Sequence, residues 1–207
     1  KDLNVPTVLV PDTFKALNDL ASYKRQESKA KFVAITGSVG KTSTKEMLNI
    51  AFNALGTTFA TKGNFNNHIG LPLSMANMPN VLDFGIFELG MNHHGELREL
   101  VKLAKPHISI ITNVEPVHLE FFQSVADIAD AKAEILENTT DFAILNIDNT
   151  YYERLKNKAS QKIITFGETI ADCRLLSYDE GKITADIMGR RISYYLPVIG
   201  KFMALNS

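Results

Sequence analysis

The chain has 207 residues, 22 of them lysine or arginine and 23 aspartate or glutamate, and 45% are hydrophobic. That length supports one sizeable core with a small appendage, and a net charge of −1 gives no support to a broad nucleic-acid or membrane surface. Cys173 is the single cysteine, which excludes an internal disulfide and a cysteine-based zinc site; with no apolar run long enough to span a bilayer and no signal-peptide core from Lys1 to Asp12, a reducing, cytoplasmic setting is expected.

Pro11-Asp12-Thr13 has the character of a helix start, with Asp12 or Thr13 as N-cap. The residues after it place Phe14, Leu17, Leu20 and Ala21 on one helical face. The polar run from Lys24 to Lys31 reads as a linker or a helix end. From there the pattern becomes strand, loop, helix, repeated. Phe32-Val33-Ala34-Ile35 is a short apolar strand, and a helical pattern follows through Met47, Leu48, Ala51 and Phe52. Further strands are expected at 57–61, 84–89, 108–112, 142–146 and 162–166, and helices at 96–104, 125–137 and 149–158. Continuous apolar strands alternating with helices predict an α/β fold with a mostly parallel sheet covered on both faces. The tail differs. Short strands at 174–178, 182–188 and 191–196 are split by Glu180-Gly181 and Gly189-Arg190, which are hairpin signals and predict a small antiparallel patch.

The sharpest local signal is Thr36-Gly37-Ser38-Val39-Gly40-Lys41-Thr42-Ser43, between an apolar strand and a helix, the context a phosphate-binding P-loop needs. Glycines let the backbone wrap around phosphate oxygens, and amides at the helix start face the anion with the helix dipole behind them. Gly37, Ser38, Val39, Gly40, Lys41, Thr42 and Ser43 are therefore nucleotide-binding candidates. Lys41 would reach the β- and γ-phosphates, and the Thr42 hydroxyl would ligate magnesium. Ile35 stands where the longer P-loop pattern has its first glycine. The bland alternative is a glycine-rich turn with an incidental lysine.

Three residues further along carry weaker signals. Glu88 ends an apolar strand, where ligand groups gather in open α/β sheets, so it is a magnesium candidate; the alternative is an ordinary strand-end acid. His118 follows the strand end Thr112-Asn113. Read by itself it is a hydrogen-bonded loop histidine, since magnesium prefers oxygen. Lys132, on an expected helix, reads by itself as a snorkelling surface lysine.

Together these segments resemble the Mur ligase family, in its D-alanyl-D-alanine-adding branch. The P-loop has that family's short form. Lys62-Gly63-Asn64-Phe65-Asn66-Asn67-His68-Ile69-Gly70-Leu71-Pro72, Glu88-Leu89-Gly90-Met91-Asn92-His93, the run from Thr112 to Glu120, and Ala131-Lys132-Ala133-Glu134 continue the likeness in order. The resemblance implies that Lys41 and Thr42 hold ATP and magnesium, that Glu88 and His118 serve the metal sites, and that Lys132 is the lysine the family carbamylates with carbon dioxide. It makes Lys41, His118 and Lys132 catalytic candidates. Asn66 and Asn67 match a substrate-lining loop. Asn113 belongs to the strand-end motif, and Asn206 to a segment near the adenine in which Phe202 and Met203 replace the family's His-Asn pair. The implied partners are UDP-N-acetylmuramoyl-tripeptide and D-alanyl-D-alanine, with no nucleic acid and no membrane, and a monomer is expected.

Residues 1–30 would then be the end of an N-terminal domain and its linker. Residues 31–207 would be the central ATP-binding domain, with the C-terminal ligase domain absent, so this chain is not expected to complete ligation by itself. Two alternatives stay open. One is a folylpolyglutamate synthetase-like ligase, and the other is a nucleotide-binding module without catalysis.

Overall fold

A computed structural model describes residues 5–117, 120–197 and 200–207. Helix α1 (Thr13–Glu27) opens on Asp12, whose side chain accepts a hydrogen bond from the Lys15 amide at 3.0 Å. A free helix-start N–H is satisfied in this way. The chain then alternates: β1 (Lys31–Thr36), α2 (Lys41–Asn53), β2 (Thr58–Ala60), α3 (Gly70–Ala76), β3 (Phe84–Glu88), α4 (Glu96–Ala104), β4 (Ile108–Ile111), α5 (Val125–Ala133), β5 (Phe142–Asn146), α6 (Tyr152–Lys156) and β6 (Lys162–Gly167). The last part is β7 (Cys173–Asp179), β8 (Lys182–Ile187), β9 (Arg190–Tyr195) and α7 (Lys201–Leu205).

Among the described residues the strands form one sheet in the order β2-β3-β1-β4-β5-β6-β7-β8-β9. Pairing is parallel from β2 through to β7, and antiparallel from β7 to β8 and from β8 to β9. The antiparallel patch is thus an extension of the main sheet, joined through β6 and β7. Gly181 and Gly189, at φ +87° and +84°, make its two tight turns, a left-handed backbone that glycine adopts without steric cost.

Strand alternation builds both faces of the sheet. Phe32 and Ala34 of β1 face a large core shared with Phe87, Leu71, Leu97, Ile128 and Leu145. Val33 and Ile35 face the other way, joining Ile86 and Ile110 beneath Leu48 and Phe52 of α2. Parallel strands need this double cover because βαβ crossovers lay helices on both faces. A third, smaller cluster of Leu175, Ile183 and Ala204 seals α7 onto the β7–β8 hairpin.

Several expected boundaries move. The helix expected over 125–137 is α5 followed by a 3₁₀ turn, Glu134–Leu136. Five segments are shorter than their patterns: β2, β3, β4, β8 and α6. Helices α3 and α7 were not expected at all. On α1 only Ala21 is buried and Leu17 half-buried, while Phe14 and Leu20 are 49% and 54% exposed, because α1 meets α3 and α4 along only part of its apolar stripe. The Lys24–Glu27 end of the expected linker is helical. There the Arg25 guanidinium donates to the Ala104 and Lys105 carbonyls, an arrangement that caps the end of α4. No helix among the described residues is long and apolar enough to cross a membrane.

Candidate functional site

The sheet reverses its winding beside β1. From β1 the chain passes to β2 and β3 on one side and later to β4 on the other. A switch of that kind leaves a crevice beyond the carboxyl ends of the flanking strands. The loop after β1, Glu88 at the end of β3 and Thr112-Asn113 after β4 all open onto it.

The β1–α2 loop is shaped by its neighbours. Gly37, at φ +154°, has the Thr112 hydroxyl oxygen 1.9 Å from where a Cβ would stand. Gly40, at φ +84°, has the Asn206 amide nitrogen 2.6 Å from its missing Cβ. Any side chain at either position would strike the packing that holds the loop. Asn113 braces the turn twice, its carbonyl taking the Ser38 amide at 3.1 Å and its side-chain oxygen taking the Val39 amide at 3.0 Å. The Thr112 hydroxyl donates to the Val39 carbonyl at 2.7 Å. The Ser38 hydroxyl donates to the Glu115 carbonyl and accepts from the Glu115 amide, and the Ser43 hydroxyl donates to the Gly40 carbonyl. Gly40 supplies no capping side chain to α2, so the positive end of the helix is presented to whatever occupies the crevice.

Lys41 begins α2 and folds its ammonium back onto the Gly37 carbonyl at 2.8 Å. Burial lowers its pKa from 10.5, and the Glu88 carboxylate works against that fall. The next residue, Thr42, donates its hydroxyl to Glu88 Oε2 at 2.8 Å. Asn66 donates its side-chain amide to Glu88 Oε1 at 2.9 Å. Glu88 is only 3% exposed, and the Thr61 hydroxyl accepts from its backbone amide. It is therefore no ordinary surface acid. Both carboxylate oxygens are oriented by neutral donors, and Glu88 faces the P-loop threonine.

Lys132 is likewise not a surface lysine. It is 3% exposed, and burial drives its pKa down to about 7, with the positive charge of Lys41 adding to the fall. Burial of this depth favours the neutral amine, the form that attacks carbon dioxide. The arrangement brings together Lys41, Thr42, Glu88, Asn66 and Lys132. Asn67 sits apart from their hydrogen bonds: its side-chain oxygen accepts from the Ile69 and Gly70 amides at 3.1 and 2.8 Å, bracing the start of α3. His118 lies outside the described residues.

Among the described residues no three carboxylate, imidazole or thiol groups converge into a metal cage. Magnesium, however, commonly takes one or two protein oxygens and completes its shell with phosphates and water. The Thr42 hydroxyl and the Glu88 carboxylate, 2.8 Å apart, are a donor pair of that kind. Thr112, whose hydroxyl shapes the loop, is not among the site residues expected from the sequence. Its position at the end of a strand beside β1 was the available signal.

Residues 35–207 match the Mur ligase middle domain. The chain is 44% identical over 210 residues to the UDP-N-acetylmuramoyl-tripeptide–D-alanyl-D-alanine ligase of Rickettsia prowazekii (strain Madrid E), covering 96% of this chain and 47% of that protein. Among solved structures it is similar to MurF from Acinetobacter baumannii, with a TM-score of 0.90 at 30% identity over 100% of this chain and 48% of that one. It is also similar to the MurF ligase of Thermotoga maritima in complex with ADP, with a TM-score of 0.84 at 26% identity over 100% and 50%. The chain spans about half the length of the curated relatives it matches.

Proposed function

The chain belongs to the Mur ligase family, and from that premise we propose that it is the ATP-binding part of a cytoplasmic ligase that joins D-alanyl-D-alanine to UDP-N-acetylmuramoyl-tripeptide in peptidoglycan precursor synthesis. The observation that carries the reading is the junction of the P-loop with Glu88 through Thr42, with buried Lys132 beside Lys41. This is the equipment for transferring a phosphoryl group between two anions. The relatives' names supply the substrates.

The reaction has two steps. The γ-phosphoryl group of ATP passes to the terminal carboxylate of the tripeptide, giving an acyl phosphate and ADP. The amine of D-alanyl-D-alanine then attacks the acyl carbon and expels inorganic phosphate. Phosphoryl transfer of this kind rests on positioning and on neutralising charge. The P-loop amides and the start of α2 bind the phosphates. Lys41 leaves the Gly37 carbonyl to reach the β- and γ-oxygens, and Asn113 and Thr112 hold the loop in its binding shape. Thr42 and Glu88 would hold magnesium, with His118 as a further ligand. When bound, the ion offsets the charge of the phosphates. Lys132 as a carbamate would present a carboxylate-like group to the same region. Asn66 orients Glu88, and the loop bearing Asn66 and Asn67 borders the reacting carboxylate. Asn206, against Gly40, stands on the adenine side.

The substitution of Phe202 and Met203 for the family's His-Asn pair is the observation that favours a second reading, a nucleotide-binding module without catalysis. Both readings meet in one experiment. The full-length protein is given UDP-N-acetylmuramoyl-tripeptide, ATP and D-alanyl-D-alanine, and phosphate release is followed. Release that needs both substrates, and that Lys41→Ala abolishes while the fold is kept, is expected. ATP binding without release would leave the module. Release with folyl substrates in place of the muramoyl peptide would move the protein to the folylpolyglutamate synthetase-like class.

A further inference from the structure

Lys132 stands on α5, and Glu88 ends β3. Nothing in the backbone between them fixes their separation, since the two belong to different crossovers. Besides the apolar core that α5 and β3 share, a polar contact ties them, two residues beyond Lys132. Glu134 is 4% exposed, and its carboxylate plugs the start of α4. Its Oε1 and Oε2 take the Gly95 amide at 2.8 and 3.0 Å, and Oε2 also takes the Arg98 amide at 3.1 Å. Gly95, at φ +86°, gives α4 no side-chain cap of its own, so the cap comes from across the fold. A buried carboxylate on the free amides of a helix start is held by charge-assisted hydrogen bonds and by the helix dipole.

The surroundings close this joint. Arg98 lies 3.6 Å from Glu134 and is itself gripped in two-pronged fashion by Glu137 at 2.7 Å on each prong. The His94 ring stands against Phe122 with its Nδ1 3.9 Å from Glu134. The segment from Glu88 to Gly95 is pinned at its other end, where the Leu89 amide donates to the Ile35 carbonyl and the Gly90 amide to the Asn66 carbonyl. Residues two apart on a helix point to opposite sides. Lys132, near the end of α5, and Glu134, first in the 3₁₀ turn that follows it, therefore point to different sides, with Glu134 toward α4.

We infer that Glu134 is a positioning residue for the phosphoryl-transfer site, fixing Lys132 against the P-loop and Glu88 by docking its helix onto the segment that follows β3. This rests on the reading of Lys132 as a group of that site. Glu134 spends its carboxylate on the Gly95 and Arg98 amides and acts through Lys132.

The test uses the full-length protein and its Glu134→Ala and Glu134→Gln variants. Trace labelling with an amine-selective reagent, read by peptide mapping, gives the reactivity of Lys132 relative to exposed Lys15, with fully buried Lys45 as the control for the fold. In Glu134→Ala, Lys132 labelling is expected to rise while Lys45 stays protected. The ligation kcat should fall about 10- to 100-fold, the range that outer partners of a site group command. Glu134→Gln keeps one acceptor oxygen and should lie between. Unchanged Lys132 reactivity in both variants would overturn the inference. So would a rise shared equally by Lys45, which would make Glu134 a support of the whole fold. A wild-type protein that performs no ligation would sink the proposed activity alone, because the labelling still decides the role of Glu134.

Discussion

The protonation of Lys132 offers the most direct physical test of the site. In the folded chain burial, aided by the charge of Lys41, brings its pKa from 10.5 to about 7. Below pH 7 both the folded and unfolded chains carry the proton, and folding bears the full cost of burying an ammonium. Between about pH 7 and pH 10.5 the unfolded chain still binds the proton and the folded chain does not, so stability rises with pH. Above that window the two states again match. At about 1.4 kcal/mol for each pH unit of the fall, the ceiling on this penalty is about 5 kcal/mol, to be taken as an order of magnitude. Lys132→Met keeps the length and apolar stem of the side chain and removes the charge. Urea unfolding of both proteins across the window is the assay, read as the difference between the two stability curves, so that other alkaline titrations cancel. The variant should be the more stable near pH 7, and its advantage should shrink as pH rises. Parallel curves would refute the reasoning, because they would mean that Lys132 titrates as a solvated lysine does.

Two further outcomes follow from loop geometry. Gly40→Ala places a side chain at φ +84°, 2.6 Å from the Asn206 amide; a left-handed backbone costs a residue with a Cβ about 1–2 kcal/mol, so thermal melting should fall and titration with magnesium-ATP should show weakened binding. Asn67→Ala removes the acceptor for two amides at the start of α3 and should lower stability by about 1 kcal/mol, measured by urea unfolding, with nucleotide affinity unaltered. Unchanged stability in both variants would remove the structural roles assigned to these residues.

Local chemistry made much of this protein legible in its sequence. The P-loop is a contiguous run whose function depends on backbone conformation and on one helix start, so Gly37, Gly40, Lys41 and Thr42 could be read in place. The strands of a doubly covered parallel sheet are continuous apolar runs, and their alternation with helices announced the α/β class. Hairpin turns need left-handed glycines, so the β7–β9 extension was visible too. Short helices were less so. Helix α3 spans only Gly70–Ala76, and all but two of its residues are buried, which leaves no amphipathic period to detect.

The character of single side chains in the site was decided by the fold. A lone lysine on a helix with apolar neighbours snorkels unless something covers it, and no sequence period says what covers Lys132. Its burial, and hence its lowered pKa, comes from helices and loops far apart in the chain. Glu88 became an oriented carboxylate only when α2 brought Thr42 and the loop after β2 brought Asn66 to its two oxygens. Glu134 is a cap only because the fold sets it against the uncapped amides of α4. Residue type and spacing carry the information for hydrogen bonds within a turn. Desolvation and charge coupling depend on separation in space, and those the tertiary structure alone supplied.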